Sequence, residues 1–258
     1  MGTMIEVDIT FNLEYINFLE ELGIPFREKK INYKIRDGNK HRLTYNGCLL
    51  EKDMVDNLID SSENGIHKIE KVRDIDSPVY KVYSDGGSFN NGKKDSSLPT
   101  FGSFAYYCVD NHDEELLNDY HGYEGDTNNM GELKGCLFGV EKLTEYIYDN
   151  KMGDNEPINI VLISDSQYVI QGINTYIEGW IKRGWKNNAG KPTPNKGLWK
   201  NLYDNFLTNE EYNIYTKWVR GHTENDGNDY KYNDLCDYNC NLVINEWLET
   251  KGLPLRDI

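Results

Sequence analysis

INIVLISDSQYVIQG, residues 158–172, is the stretch whose reading decides the fold. Ile158 to Ser164 is an apolar run without polar alternation, bounded by polar residues. That is the pattern of a strand buried on both faces of a parallel sheet. Asp165 follows the run directly, and ligand and catalytic sites in such sheets gather at the carboxyl ends of strands. Asp165 or Ser166 could equally serve only as the N-cap of the helix that follows. The spacing predicts that helix over 166–183.

Working outward, VYKVYSD (79–85) and FGSFAYYCVD (101–110) read as strands, with a third over 117–124. A helix over 129–149 places Leu133, Cys136, Leu137, Val140, Leu143 and Ile147 on one face. Downstream come a helix over 196–207, a strand over 213–219 and a last helix over 233–249. Three strands, a helix, a strand, helices, a strand and a helix make an α/β domain: a mixed sheet flanked by helices, over residues 79–250. Ahead of it, residues 1–75 read as a small α+β unit. Its elements are a helix over 10–22 ended by Gly23, a strand through KINYKIR, a turn at Asp37-Gly38, a return strand over 41–45, a helix over 52–60 and a strand over 66–72. Arg73 to Pro78 reads as the linker.

The 258 residues are enough for one large domain or two small ones, stable without disulfides. No apolar run approaches the ~20 residues of a membrane span. The acidic start lacks the basic and apolar regions of a signal peptide, so a soluble cytoplasmic monomer with no membrane partner is expected. The five cysteines are scattered with no CxxC pair, which favours buried free thiols over zinc. The net charge of −15 argues against general nucleic-acid binding. Distribution qualifies this: residues 27–42 hold seven Lys and Arg against two acids, and WIKRGWKNNAGK (180–191) is a second basic cluster.

Four segments carry candidate chemistry. In SDGGSFNNG (84–92), Asp85 ends a buried strand beside glycines that permit a sharp turn and the close approach of a polymer. In TNNMGELKG (127–135), Glu132 falls in an early helical turn, where the helix dipole alone also favours an acid. Asp165 is the third. In VRGHTENDGNDYKYNDLCDYNC (219–240), a loop carries His222, and Asp237 lies one turn inside a helix beginning near Asn233. Glu224, Asp226 and Asp229 fit a solvated acidic face, and Asp234 lies close to Asp237. Two strand-end acids and two acids on early helical turns can meet at one sheet edge. Carboxylates at close range repel unless cations neutralise them. Oxygen ligands without Cys or His select Mg²⁺ or Mn²⁺. Two such ions ~3.5–4 Å apart suit phosphodiester hydrolysis.

DGGS, TNNxxEL, SDSQYV, WxKRGWK, VRGH and NDLCD occur in this order over about residues 79–250. The ordered set resembles type 1 ribonuclease H of the bacterial kind, with its basic handle. The resemblance implies a five-stranded mixed sheet with the first three strands antiparallel. It also implies an endonuclease that cuts the RNA strand of RNA–DNA hybrids with two Mg²⁺, Mn²⁺ able to substitute, leaving 3′-hydroxyl and 5′-phosphate ends. Asp85, Glu132, Asp165 and Asp237 match the metal-binding acids, and His222 matches a loop histidine that assists proton transfer or product release. Asn128, Asn129 and Gln167 match contacts to the hybrid near the cut. Asn91 and Thr127 match a DNA phosphate site. Trp180, Lys182, Arg183, Trp185 and Lys186 match the handle on the DNA strand, although both tryptophans could be core residues of a short helix. The segment from His222 to Asp237 is longer than in the bacterial family. Residues 1–75 match no known hybrid-binding domain; their basic hairpin is a candidate nucleic-acid contact, a protein-docking module or a plain folded cap. Two rivals remain: a DNA-cutting nuclease of the same fold, which the Asn128, Asn129 and Gln167 matches oppose, and a non-catalytic hybrid-binding module, which the presence of all four acids opposes.

Overall fold

The computed structural model describes residues 4–12, 22–34, 40–61, 67–91, 97–152, 157–221 and 227–258. The larger part of the chain is built on a five-stranded sheet. Its strands are β5 (Val79–Phe89), β6 (Phe101–Val109), β7 (Glu115–Glu124), β8 (Ile158–Ser164) and β9 (Tyr212–Trp218), in the order β7-β6-β5-β8-β9. β5, β6 and β7 are antiparallel neighbours, whereas β8 runs parallel to both β5 and β9. The apolar run 158–164 therefore lies second from one edge, buried from Asn159 onward, as its composition requires.

One face of this sheet packs against the helix Asn128–Asp149. There Leu133, Cys136, Leu137, Val140, Leu143 and Ile147 meet Val82, Phe104 and Tyr106. The same core takes in Trp199 and Leu202. The opposite face packs against the C-terminal helix Asn228–Thr250, through Tyr232, Cys236 and Cys240 on Tyr83, Ala105 and Tyr107. All five cysteines are buried free thiols. The helix expected over 166–183 is wound in pieces: Gln167–Gln171, a π turn over Gly172–Tyr176, then Ile177–Lys182. The helix expected over 196–207 likewise ends in a π turn after Leu202.

Ahead of this lies a separate antiparallel sheet of β1 (Met4–Asn12), β2 (Glu28–Lys34), β3 (Lys40–Glu51) and β4 (His67–Ile75), in the order β2-β3-β1-β4, with a helix over Lys52–Ser61. The helix expected from residue 10 is corrected here: residues 10–12 finish β1. Ile5, Val7, Ile9 and Phe11 alternate with Glu6, Asp8 and Thr10, so the period is two, and the apolar set enters one core with Tyr45 and Leu50. Residues 13–21 and the turn at 37–38 lie outside the described residues. The linker is also shorter than expected, because Arg73 to Ile75 complete β4 and leave only residues 76–78.

The two sheets are joined along β9. Phe26 N donates to Thr216 O at 3.1 Å, and Thr216 N returns the bond to Phe26 O at 2.8 Å. Glu6 is fully buried and accepts from Arg27 at 2.5 Å, the Tyr215 hydroxyl at 2.6 Å and Arg73 at 3.4 Å. Leu49, Ile75 and Met4 pack into the core that holds Val161, Ile163 and Tyr215.

Candidate active site

Glycines bring the first two carboxylates together. An added Cβ at Gly86 would collide with the backbone of Gly131 and Glu132, and one at Gly131 would collide with the Ser103 carbonyl. The helix Asn128–Asp149 can therefore lie directly on β5 and β6. Glu132 sits in its second turn, beside Asp85, which lies inside β5 rather than at its end as expected, because the pairing with β6 carries the strand on to Phe89. Thr127 caps this helix, its hydroxyl accepting from Met130 N at 3.4 Å. Asp165 follows β8, and Trp218 at the end of β9 donates its indole N–H to the Asp165 carbonyl at 2.9 Å. One oxygen from each of Asp85, Glu132 and Asp165 lies within 4.8 Å of the other two.

Asp85 and Glu132 are 6% and 7% exposed. Burial pushes the Asp85 carboxyl well above the usual carboxylate range, and the neighbouring Asp165 and Asp237 charges push it further against the opposing bond from Gly86 N at 2.6 Å. Burial likewise raises Glu132, with Asp85 and Asp165 adding to it. Asn128 donates to Glu132 Oε1 at 3.2 Å, while Glu132 Oε2 is buried without a hydrogen-bond partner among the described residues. A buried unpaired carboxylate oxygen facing two further acids is costly unless a cation meets it. An all-oxygen donor set of this kind fits a hard divalent cation.

Asp237 stands outside the group of three, but near enough to raise Asp85. It is half-buried and accepts from Asn241 Nδ2 at 3.0 Å. Its helix begins at Asn228 rather than near Asn233, which puts Asp237 in the third turn. Asp234 is exposed. His222 lies outside the described residues. The preceding Gly221 packs against the Asp165 carboxylate so closely that a Cβ would strike it. Asn129 and Gln167 are exposed at the first turns of their helices, and Asn91 is exposed in the β5–β6 turn. Lys182, Arg183 and Lys186 are exposed, whereas Trp180 and Trp185 are half-buried against the main core. Trp180 packs on Trp199 at 5.3 Å between ring centroids and Trp185 on Tyr203 at 6.4 Å, so both tryptophans serve packing. Trp218, Gly221 and the helix-facing glycines escaped the sequence reading. The spacing of Gly131, Gly135 and Gly139, one helical turn each, was the signal available for the last of these.

The family profile for RNase H matches residues 77–241. The chain belongs to the ribonuclease H family. It is 34% identical to Ribonuclease H of Pseudoalteromonas translucida over 157 residues, which cover 61% of this chain and 84% of that protein. Its identity to Ribonuclease H of Lachnoclostridium phytofermentans is 32% over 158 residues, covering 60% of this chain and 85% of the relative. Among solved structures it is similar to LC11-RNase H1 in complex with RNA/DNA hybrid, at 16% identity and a TM-score of 0.45, over 66% of this chain and 99% of that one. The matched segment contains the three clustered carboxylates and leaves the N-terminal sheet outside. Among the described residues of this ribonuclease H, no helix is long and apolar enough to cross a membrane.

Proposed function

We propose that this ribonuclease H hydrolyses the RNA strand of RNA–DNA hybrids at the cluster of Asp85, Glu132 and Asp165, completed by Asp237. The observation that carries the reading is the carboxylate triad, two of its members buried and one half-buried, with its unpartnered Glu132 oxygen, inside the segment matched by the family. These acids would hold two Mg²⁺ ions, or Mn²⁺ in their place, which would supply a nucleophilic water at neutral pH and neutralise charge on the leaving oxygen. The chain's own groups fix the acids in place. Gly86 N–H orients Asp85, Asn128 holds one Glu132 oxygen and leaves the other free, Trp218 holds the backbone of Asp165, and Asn241 turns Asp237. Such preorganisation matters because a misplacement of about 1 Å can cost about 100-fold in rate.

Asn128, which bonds Glu132, would offer with Asn129 and Gln167 amide groups suited to the 2′-hydroxyls that distinguish RNA from DNA. Asn91 and Thr127 would hold a DNA phosphate. Lys182, Arg183 and Lys186 present exposed cations for the DNA backbone, with Trp180 and Trp185 fixing their platform. His222 would carry a proton near Asp165, which Gly221 contacts. Cleavage would leave 3′-hydroxyl and 5′-phosphate ends. Residues 79–250 form the catalytic domain in this reading, and residues 1–75 an accessory domain fastened to β9. The test is an assay of labelled hybrid, duplex DNA and duplex RNA, each with and without Mg²⁺. Cleavage of the hybrid alone, and only with the ion, is expected. An intact hybrid, or cutting of duplex DNA instead, refutes the proposal.

A further inference from the structure

After the C-terminal helix the chain turns at Gly252 and folds back, Leu253 N donating to Leu248 O at 3.0 Å. The Asn245 side chain then brackets residue 256. Its Oδ1 accepts from Arg256 N at 2.8 Å, and its Nδ2 donates to Arg256 O at 3.0 Å. With the backbone fixed, the guanidinium donates from Nη2 to Ser88 O at 2.7 Å and lies 5.7 Å from the centre of the Phe89 ring. Arg256 is half-buried, and burial lowers its pKa from the ordinary arginine value. Among the described residues no carboxylate lies within 4.0 Å of it, whereas Arg27 and Arg73 both pair with Glu6. In a chain of net charge −15, this guanidinium is held in place with one of its five donors committed to a carbonyl and no carboxylate paired to it among the described residues.

Its position gives that charge a use. Ser88 and Phe89 pair with Gly102 and Phe101 at the base of the β5–β6 hairpin. Gly102 packs against Asp126, the residue before the Thr127 cap. The tail thus delivers a cation to the end of the sheet where Asn91 and Thr127 also lie. Ser88 is three residues beyond Asp85, or about 10 Å along a strand, a span of only a few nucleotides at ~3.4 Å per step. A duplex engaged at the carboxylates would bring a backbone phosphate to this hairpin. Arginine suits phosphate better than lysine where two donors can reach it together.

We infer that Arg256 binds a backbone phosphate of the hybrid a few nucleotides from the cut, and that the C-terminal tail is folded back to hold it there. The assignment rests on the hybrid-cutting reading above. The test uses the full chain as wild type, Arg256→Gln and Arg256→Lys. Affinity for a labelled hybrid is measured with Ca²⁺ replacing Mg²⁺ across a salt series, and KM and kcat are measured with Mg²⁺. Loss of one phosphate contact should make the slope of log affinity against log salt shallower by about 0.9 and weaken binding roughly 3- to 10-fold at low salt. KM should rise in Arg256→Gln while kcat is kept, and Arg256→Lys should retain the wild-type slope. A single methylphosphonate walked along the DNA strand, then the RNA strand, identifies which backbone is held. Wild type should lose affinity at one position where Arg256→Gln is indifferent. A Gln variant with the wild-type salt slope, or a Lys variant that loses as much slope as Gln, overturns the assignment and leaves Arg256 a mere tie for the tail. A wild type that neither binds nor cuts the hybrid instead sinks the functional reading beneath it.

Discussion

Gly86→Ala tests whether the close approach of helix and strand sets the rate. A methyl group there would stand 2.5 Å from the carbonyl carbon of Gly131 and 2.7 Å from Cα of Glu132. Non-bonded carbons settle about 3.5–4.0 Å apart. Both obstacles are backbone, so no flexible side-chain tip can yield. The helix must retreat by about 1 Å, carrying Glu132 away from Asp85. A shift of that size costs about 100-fold where reacting groups must be aligned. Overpacking itself destabilises by about 1–3 kcal/mol, and at 2 kcal/mol the Tm falls by roughly 4–8 °C for a chain of this size. Single-turnover cleavage of an end-labelled hybrid at saturating enzyme isolates the chemical step, with thermal unfolding run alongside. The expected result is a rate down about 100-fold, with hybrid affinity close to wild type because the exposed Lys182, Arg183 and Lys186, proposed to meet the DNA backbone, are untouched. A variant whose Tm has dropped as expected but which still cuts at near the wild-type rate would refute the reasoning, since the helix would have moved without the chemistry responding.

Asp85→Asn should remove nearly all cleavage while leaving hybrid affinity, read by a filter or anisotropy assay, largely intact; retained turnover contradicts the role of the carboxylate. Glu6→Gln leaves Arg27 and Arg73 without their shared anion. Because both arginines are partly solvated, the loss should be about 1–3 kcal/mol, visible as a lower Tm, and an unchanged Tm would show that the join between the sheets does not depend on charge. Burial alone would raise the Asp229 pKa, but the Lys217 ammonium at 2.5 Å and the Tyr83 hydroxyl at 2.8 Å outweigh it and hold the carboxyl below its ordinary value. Its stabilisation is therefore complete above the unfolded pKa of about 3.9 and fades as pH falls through the lower folded value. The Tm gap between wild type and Asp229→Asn should be widest near neutral pH and close below about pH 4; a gap that widens in acid would reverse the sign.

Period and strand ends made the central sheet legible. Ile158 to Ser164 could hardly be anything but a buried strand, and the apolar face of residues 133–147 fixed the helix that packs beneath it. Asp165 followed from its position at a strand end. Other features depended on distant partners. Ile9, Phe11, Leu13 and Ile16 look helical when read forward, yet Ile5 and Val7 before them set the strand period. The early start of the C-terminal helix is hidden in a polar run, because what stabilises Asn228 to Tyr232 is tertiary: Asp229 on Tyr83, and Tyr232 stacked on the same ring at 5.0 Å. Glu6 resembles any surface acid until Arg27, Arg73 and Tyr215 surround it. Arg256 could not be read at all, since its meaning comes from Asn245 and Ser88, 11 and 168 residues away in sequence.

Four successive residues of β9 tie the N-terminal sheet to the acidic cluster. The Tyr215 hydroxyl meets Glu6, Thr216 pairs through its backbone with Phe26, Lys217 holds Asp229, and Trp218 holds the backbone of Asp165. An edge strand normally presents unpaired backbone groups and little resistance to bending. Here Phe26 covers part of that edge, and Asn174 adds a bond from the other side, its Nδ2 donating to Thr216 Oγ1 at 2.6 Å. The strand that carries Trp218 is thereby held from the N-terminal unit and from the segment beyond β8 at once. Asp165 sits between two anchored strands rather than at a loose margin. Its carboxylate faces Asp85 and Glu132 at close range, where the mutual repulsion would otherwise push the strand ends apart. The extra sheet and the acidic cluster are thus parts of one arrangement: a site that concentrates negative charge needs its outermost strand restrained, and residues 24–27 together with Glu6 supply that restraint.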